Sequence, residues 1–195
     1  MASSDRQAAL EQLHEEIRRC HHCGLCDAAT HHVPGEGPAD ASIMFIGEGP
    51  GAEEEQQGRP FVGPSGQLLT RLLALAGLDR EAVFITSVVK CRPPGNREPT
   101  LAELTACLEH TRAQIAILRP KVICTLGRVA AQALLDKSLS ITKEHGRPRQ
   151  VGDILYVPLY HPAAALHQQQ LRETIEADML RLRAVLETKL GKQAG

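Results

Sequence analysis

Four of the six cysteines have a spacing typical of metal ligands. They form two pairs from distant segments, Cys20 and Cys23 with two residues between them, and Cys91 and Cys107 with fifteen. Four thiolates bind zinc tetrahedrally or hold an iron–sulfur cluster, and the spacing alone does not decide between the two. We expect a structural site that joins the N-terminal segment to the loop around Cys91. The alternative is that the thiols are unrelated and buried, but a proline-rich loop such as that of Cys91 is not typical of a core.

The composition indicates where the cysteines function. No run approaches the ~18 apolar residues of a membrane span, and the polar N-terminus is unlike a signal peptide. We therefore expect a cytoplasmic protein without a membrane partner, in which thiols stay reduced. Cys124 lies in an apolar run and is expected to be a buried thiol, whereas Cys26 is either a spare thiol or a competing ligand.

A glycine-rich segment at 47–51 follows the first apolar run, 42–46, and precedes a helical pattern of leucines at 68–75. Glycine lets backbone N–H groups approach a ligand closely, and such loops at the carboxyl end of a strand commonly bind ligands. The alternative is a tight connection without function. Use as a phosphate cradle is disfavoured, because the segment lacks lysine and is followed by three consecutive acids at 53–55.

The remaining pattern alternates between strands and helices. An amphipathic helix over 5–19 leads to Cys20, and apolar runs at 83–89, 121–126 and 154–160 each precede a helical segment. We predict an α/β fold in three layers, α/β/α, around a four-stranded, mainly parallel sheet. It forms a single domain over 1–195, in which 1–40 hold the N-terminal helix and the ligand loop and 191–195 form a flexible tail. The carboxyl ends of the strands then meet in one crevice.

The charge is distributed unevenly along the chain. The 195 residues carry a formal net charge of −1, but 90–149 hold eleven lysines and arginines against five acids, which leaves +6 there and −7 elsewhere. A basic segment of this kind binds a polyanion on one face despite overall neutrality, unless it is a chance run of solvated charges.

Four blocks, in order, resemble the family 4 uracil-DNA glycosylases, the iron–sulfur type. They are Gly-Glu-Gly-Pro-Gly at 47–51, Gly-Arg-Pro-Phe-Val-Gly at 58–63, Lys-Cys-Arg-Pro-Pro-Gly-Asn-Arg at 90–97, and His-Pro-Ala-Ala at 161–164. The resemblance extends from about Cys20 to Leu166. It implies the uracil-DNA glycosylase superfamily fold, a 4Fe-4S cluster on the four paired cysteines, and hydrolysis of the N-glycosidic bond of deoxyuridine in DNA. We expect a monofunctional enzyme that acts as a monomer on single- or double-stranded DNA.

The resemblance also assigns roles to residues, because a glycosylase must extrude its base, stack it, recognise its edge and stabilise the leaving charge. His161 would donate a hydrogen bond to uracil O2, and Glu48 would position the attacking water, which makes these two the catalytic candidates. The base-binding candidates are Glu48, Gly49, Pro50, Phe61, Ser87 and His161. The segment through Leu166 would press into the duplex, and the candidates for phosphate contacts are Arg92, Arg97, Lys143, Arg147 and Arg149.

Ser87 departs from the family pattern, which has asparagine before the Val-Val-Lys-Cys run. An asparagine amide contacts uracil N3 and O4 together, and a serine hydroxyl makes no such bidentate contact. The alternatives are therefore excision of another deaminated base, hypoxanthine or xanthine, or a weakly catalytic DNA-binding or redox-sensing module. A related branch traps uracil covalently through a histidine between the last two cluster cysteines; residues 92–106 contain none, so we expect no trapping.

Overall fold

One five-stranded sheet organises the chain, whose computed structural model describes residues 3–166 and 168–191. Its strands lie in the order β2-β1-β3-β5-β4, and all neighbours are parallel except the pair β4–β5. The strands are β1 (Ile43–Gly47), β2 (Phe84–Ser87), β3 (Val122–Leu126), β4 (Arg149–Val151) and β5 (Ile154–Leu159). The α-helices are α1 (Ser3–Arg18), α2 (Ala52–Gln57), α3 (Pro64–Leu75), α4 (Leu101–Leu118), α5 (Arg128–Leu134), α6 (Ile141–Glu144) and α7 (Gln169–Leu190).

The predicted fold class is confirmed, but the number of strands was wrong by one. The additional strand, β4, has three exposed residues and pairs only with β5, across a turn in which Gly152 has a φ of 57°. An exposed edge strand buries no apolar side chain, so the apolar runs that predict the other four strands do not reveal it. The acidic stretch at 53–55 is likewise helical, as part of α2.

The sheet is buried on both faces, which explains its nearly continuous apolar strands. On one face, Ile43 and Phe45 of β1 pack with residues of α3 and α7. On the other face, Met44 and Ile46 pack with Leu10 of α1 and with the end of α4. The side chains of β1 thus alternate between two cores, and the three predicted layers are present.

The N-terminal segment covers the outer edge of β2. Glu36 and Ile85 exchange both backbone hydrogen bonds, at 2.9 and 2.8 Å, as an isolated antiparallel bridge. A Cβ atom on Gly37, whose φ is 135°, would lie 2.3 Å from the Val83 carbonyl oxygen, so this close approach requires glycine. The segment that follows the first cysteine pair is therefore fixed beside the strand that ends at Ser87.

None of the helices in the described residues has the length and apolarity needed to cross a membrane. The tail predicted over 191–195 lies, apart from Gly191, outside the described residues.

Thr100 followed three residues later by Glu103 is the sequence signature of a capping box, and α4 begins with this cap. The Glu103 N–H donates to Thr100 Oγ1 at 3.3 Å, and the Thr100 N–H donates to Glu103 Oε2 at 2.7 Å. We expect Thr100→Ala to lower the free energy of unfolding by about 1 kcal/mol, because a backbone donor loses its cap. Urea denaturation measures this. Thr188→Ala, an exposed site within α7, is the control and should be nearly neutral; an equal loss in both variants would contradict the capping role.

Candidate active site

A cavity of about 340 Å³ opens at the carboxyl ends of β1, β2 and β5. This is the edge at which open parallel sheets bind ligands. The cavity brings together all six base-binding candidates and the rim residues Asn96 and Arg97. The base-binding candidates that line it are Glu48, Gly49, Pro50, Phe61, Ser87 and His161.

Phe61 forms one side of the cavity in a backbone conformation that is unusual for phenylalanine, with a φ of 50°. Its ring is buried and lies 5.6 Å from the ring of His161 between centroids, with the planes inclined by 31°. Two glycines leave room for it: a Cβ on Gly47 would lie 2.6 Å from the Phe61 ring, and one on Gly66 would lie 1.9 Å from the Phe61 carbonyl oxygen. The aromatic surface is therefore held by backbone packing on two sides.

A buried carboxylate, Glu54, connects the two loops of the cavity. Its Oε2 accepts from the Gly51 N–H at 3.1 Å, and its Oε1 accepts from the N–H groups of Val62 and Gly63, each at 2.9 Å. Glu54 was not among the predicted site residues, because the three consecutive acids at 53–55 were considered only as a group that disfavours phosphate binding. The signal that could have found it is a glutamate at the third helical position after Gly51, a position from which its side chain can accept from the capping N–H.

His161 follows β5, and its imidazole ring is neutral with one N–H free to donate a hydrogen bond. The Ala163 N–H donates to its Nδ1 at 3.1 Å, so the proton of the neutral ring is on Nε2. Burial lowers the pKa of His161 to about 4, although Glu54 opposes this shift. The imidazole is therefore uncharged at neutral pH and has an N–H available for a group in the cavity.

Glu48 and Ser87 lie at the ends of two neighbouring strands. Gly47 pairs with Ser87 in the parallel register, and the Val89 N–H donates to the Glu48 carbonyl at 3.0 Å. Burial raises the pKa of the Glu48 carboxyl, Glu98 raises it further, and Arg128 opposes both. Ser87 is buried and faces the cavity, so a hydroxyl occupies the position at which the family pattern has an amide.

The four paired cysteines lie together, away from the cavity. Cys91 and Cys107 are buried, and they pack with Cys23, Leu25 and Val89. Burial raises the pKa of the Cys107 thiol to about 11 and that of Cys91 further, and the neighbouring thiols contribute to both shifts, Cys20 among them. Thiols with such pKa values are protonated at neutral pH. They lose their protons when a metal binds, because the metal compensates the buried negative charge of the thiolate.

Two nitrogen atoms already face these sulfurs. The Lys90 N–H donates to Cys107 Sγ, and His110 Nε2 lies at the same 3.2 Å from Cys20 Sγ. Hydrogen bonds to sulfur are typical of the surroundings of iron–sulfur clusters, so this donor set fits the implied group. Cys20, His22 and His110 also bring their ligand atoms within 4.8 Å of one another, which leaves a mixed cysteine–histidine metal site as the competing arrangement.

The two remaining cysteines differ in their surroundings. Cys26 donates to the Cys23 carbonyl at 2.9 Å and lies beside the site, and its pKa is raised first by burial and then by Asp27. Cys124 is fully buried in β3, as predicted.

The predicted phosphate-binding residues fall into two groups. Arg97 makes a bidentate pair with Glu103 at 2.7 and 2.8 Å, and Arg92 donates to Glu55 and to Asn96, so both are held by the protein's own acceptors. The second group surrounds α6 and β4 and consists of Lys143, Arg147 and Arg149, of which Arg149 lies 3.6 Å from Glu144. Leu166 follows the short turn Pro162–Ala165 that comes after His161, and its side chain is 38% exposed.

The basic segment around α6 is anchored near the cavity by His145. Its ring packs on Tyr160, the residue before His161, at 4.7 Å between centroids, and its Nδ1 lies 2.6 Å from Oδ2 of the buried Asp178. Within the described part of the chain, Lys143 and Arg147 have no acidic side-chain partner, so their charges are available to an external anion.

We expect Glu54→Gln to lower the free energy of unfolding by about 1–3 kcal/mol, because the amide NH₂ would face at least one backbone N–H that now has an acceptor. Glu53→Gln, an exposed neighbour in the same helix, is the matched control and should change stability little. Urea denaturation of the two variants at pH 7 makes the comparison. Equal stability of both variants would contradict the connecting role of Glu54.

The protonation state of His161 is measurable by NMR. We expect its ring to titrate near pH 4 and to carry its proton on Nε2 at pH 7, with the resonances assigned through a His161→Asn variant. Since the folded-state pKa lies below the ordinary 6.5, the stabilising contribution of the neutral ring is complete above pH 6.5 and is lost as the pH falls towards 4. Titration near 6.5 would show that the ring is not desolvated as described.

Comparison with known proteins agrees with this geometry. The sequence profile of the uracil DNA glycosylase superfamily matches residues 34–182. The type-4 uracil-DNA glycosylase of Sulfurisphaera tokodaii is 45% identical over 184 residues, covering 90% of this chain and 84% of the relative. That of Thermotoga maritima is 44% identical over 178 residues, covering 89% and 93%. A type-5 uracil-DNA glycosylase of Pyrobaculum aerophilum is more distant, at 34% identity over 169 residues, covering 76% and 74%.

Proposed function

Because the chain belongs to the uracil DNA glycosylase superfamily and, within it, to the type-4 family, we propose that it excises uracil from DNA and leaves an abasic site. The observation that carries the proposal is the convergence of an aromatic ring, a neutral histidine and a glycine-rich loop on one cavity. A flipped nucleotide needs these three elements for stacking, charge stabilisation and close backbone contact.

In the proposed reaction the bond between sugar C1′ and uracil N1 breaks, and its electron pair leaves with the base. His161 stabilises the uracil anion by donating from Nε2 to O2, and the desolvated site strengthens this hydrogen bond. Phe61 stacks on the base. Glu48 orients the water that adds to C1′, and the proton that this water loses is replaced on the departing uracil anion through solvent. Gly49 stands about where other branches of the superfamily have an aspartate, so electrostatic stabilisation of the leaving base supplies much of the rate.

The cofactor of this proposal is a 4Fe-4S cluster held by Cys20, Cys23, Cys91 and Cys107. It joins the loop after α1 to the loop after β2, and its role is structural. Purified protein should be brown with broad visible absorption and contain about four irons per chain. Colourless protein with one zinc would contradict the cluster and favour the competing site at Cys20, His22 and His110.

For DNA, the proposal assigns phosphate contacts to the basic segment of Lys143, Arg147 and Arg149, and to Arg92 and Arg97 once these exchange their present partners for phosphate. Leu166 enters the duplex where the base has left. The enzyme acts as a monomer. Its affinity should fall with rising salt, since each phosphate contact releases counterions.

The proposal is tested with labelled oligonucleotides that carry uracil, hypoxanthine or xanthine, single-stranded and mispaired, followed by alkaline cleavage. Cleavage at uracil is expected. Preferential cleavage at another base would show that this base, and not uracil, is the substrate. If the holoprotein binds the DNA but cuts none of it, the glycosylase proposal is wrong and the chain is a DNA-binding module.

We expect Ser87→Asn to raise excision of uracil about tenfold, which corresponds to about 1.4 kcal/mol and lies within the range of a bidentate base contact. The measurement is kcat/KM on a uracil oligonucleotide, compared with one carrying hypoxanthine. Ser65→Asn, which adds the same amide at another point of the cavity, is the control and should not raise excision. Unchanged or lower activity of Ser87→Asn would contradict the role of this position.

A further inference from the structure

Lys90 is buried between the end of β2 and α4, with 1% of its surface exposed. Its Nζ donates to Thr86 Oγ1 at 2.7 Å, to the Ser87 carbonyl at 2.7 Å and to Gln114 Oε1 at 2.8 Å. A lysine is rarely buried to this degree without a partner of opposite charge. None of the roles assigned above uses this amino group.

The hydrogen bonds identify the charge state of Lys90. The orientation of its partners is fixed, since both Thr86 Oγ1 and Gln114 Nε2 donate to the Pro34 carbonyl, at 2.8 and 2.7 Å. Three acceptors therefore face Nζ. An ammonium has three N–H donors, whereas a neutral amine has two. Burial lowers the pKa of Lys90 to about 7 and the Cys107 sulfur opposes this shift, but three acceptors and no donor facing Nζ are the surroundings of an ammonium.

The counter-charge of this cation is not a carboxylate. Its three partners are neutral, and among residues 3–166 and 168–191 no aspartate or glutamate pairs with it. The groups around this residue that become anionic are sulfurs: its backbone N–H donates to Cys107 Sγ, the Cys107 sulfur also favours the charged form of the amino group, and the next residue is Cys91. Buried charges are normally paired, so the four thiolates that would hold the cluster supply the missing partner.

The same side chain contacts the strand end that forms one side of the base pocket. The Ser87 carbonyl that accepts from Nζ belongs to the residue that faces the cavity, and Gly47 of the glycine loop pairs with that residue in the sheet. Lys90 thus contacts the strand end that forms the cavity through its side chain, and one of the four paired cysteines through its backbone N–H.

We propose that Lys90 is a positioning residue that supplies the buried counter-charge of the cluster and fixes the Ser87 end of β2, thereby coupling the cluster to the base pocket. This inference rests on the cluster of the proposed function. In this arrangement, the reduction potential of the cluster and the efficiency of base excision depend on one amino group that contacts neither DNA nor iron.

The test compares Lys90→Met, which keeps the length of the side chain but removes the charge and all three donors, with Thr111→Val. Thr111 is also buried, and its hydroxyl donates to the same Ser87 carbonyl at 3.4 Å, so this control removes a neutral donor from the same place. The readouts are the midpoint potential of the cluster by spectroelectrochemistry and kcat/KM on a uracil oligonucleotide.

We expect Lys90→Met to move the midpoint potential to a more negative value, because an anionic cluster that loses a neighbouring cation is harder to reduce. Its kcat/KM should fall about tenfold, as for the loss of hydrogen bonds from a charged donor, while Thr111→Val keeps the wild-type potential and loses less than about threefold. A wild-type potential in Lys90→Met, or equal potential shifts in both variants, would overturn the inference.

Should Lys90→Met yield no holoprotein, Lys90→Arg decides the question, because it keeps the charge. Recovery of a loaded Lys90→Arg protein with a potential near that of the wild type supports the counter-charge, and failure of both variants to load overturns it. Wild-type protein without iron would instead contradict the cofactor of the proposed function, so the two failures are distinguishable.

Discussion

The carboxylate of Glu54 is the contact on which the cavity depends. By accepting from three backbone N–H groups, it joins the loop after β1 to the loop that presents Phe61. A carboxylate that accepts several backbone N–H groups offsets the cost of its burial, and it tolerates little change in the position of those groups. Phe61 keeps its strained φ, and Gly66 lies close to the Phe61 carbonyl. Both persist because the Glu54 hydrogen bonds hold the backbone between these two residues.

The end of β2 serves two sites at once. Ser87 faces the cavity, Lys90 lies buried behind it, and Cys91 belongs to the four-cysteine group, all within five residues. The proposed cluster would therefore be joined to the base pocket by one short segment. Held by four thiolates, it would fix the irregular loop that follows the strand, and a fixed loop would keep the strand end in register with β1.

Several features could be predicted from the sequence because they depend on local chemistry. The apolar runs predicted β1, β2, β3 and β5, the Thr100–Glu103 spacing predicted the cap of α4, and the order of the four blocks predicted the family. Features that depend on partners distant in sequence were missed. Glu54 looks like one of three equivalent acids, β4 has no apolar side to reveal it, and nothing around Lys90 indicates that its amino group lies in the interior.

The glycine loop and the cysteine pairs were thus predicted from residue types and spacing, because spacing limits the chemistry that such residues can perform, and His161 was predicted from the resemblance to the family. Only the tertiary structure decided how they are used. The parallel register places Gly47 beside Ser87, and the Ala163 N–H fixes the tautomer of His161. Burial then sets the charge of the groups around the cavity. The physical reason is that desolvation and hydrogen-bond partners are properties of the assembled fold, and no residue carries them in its own side chain.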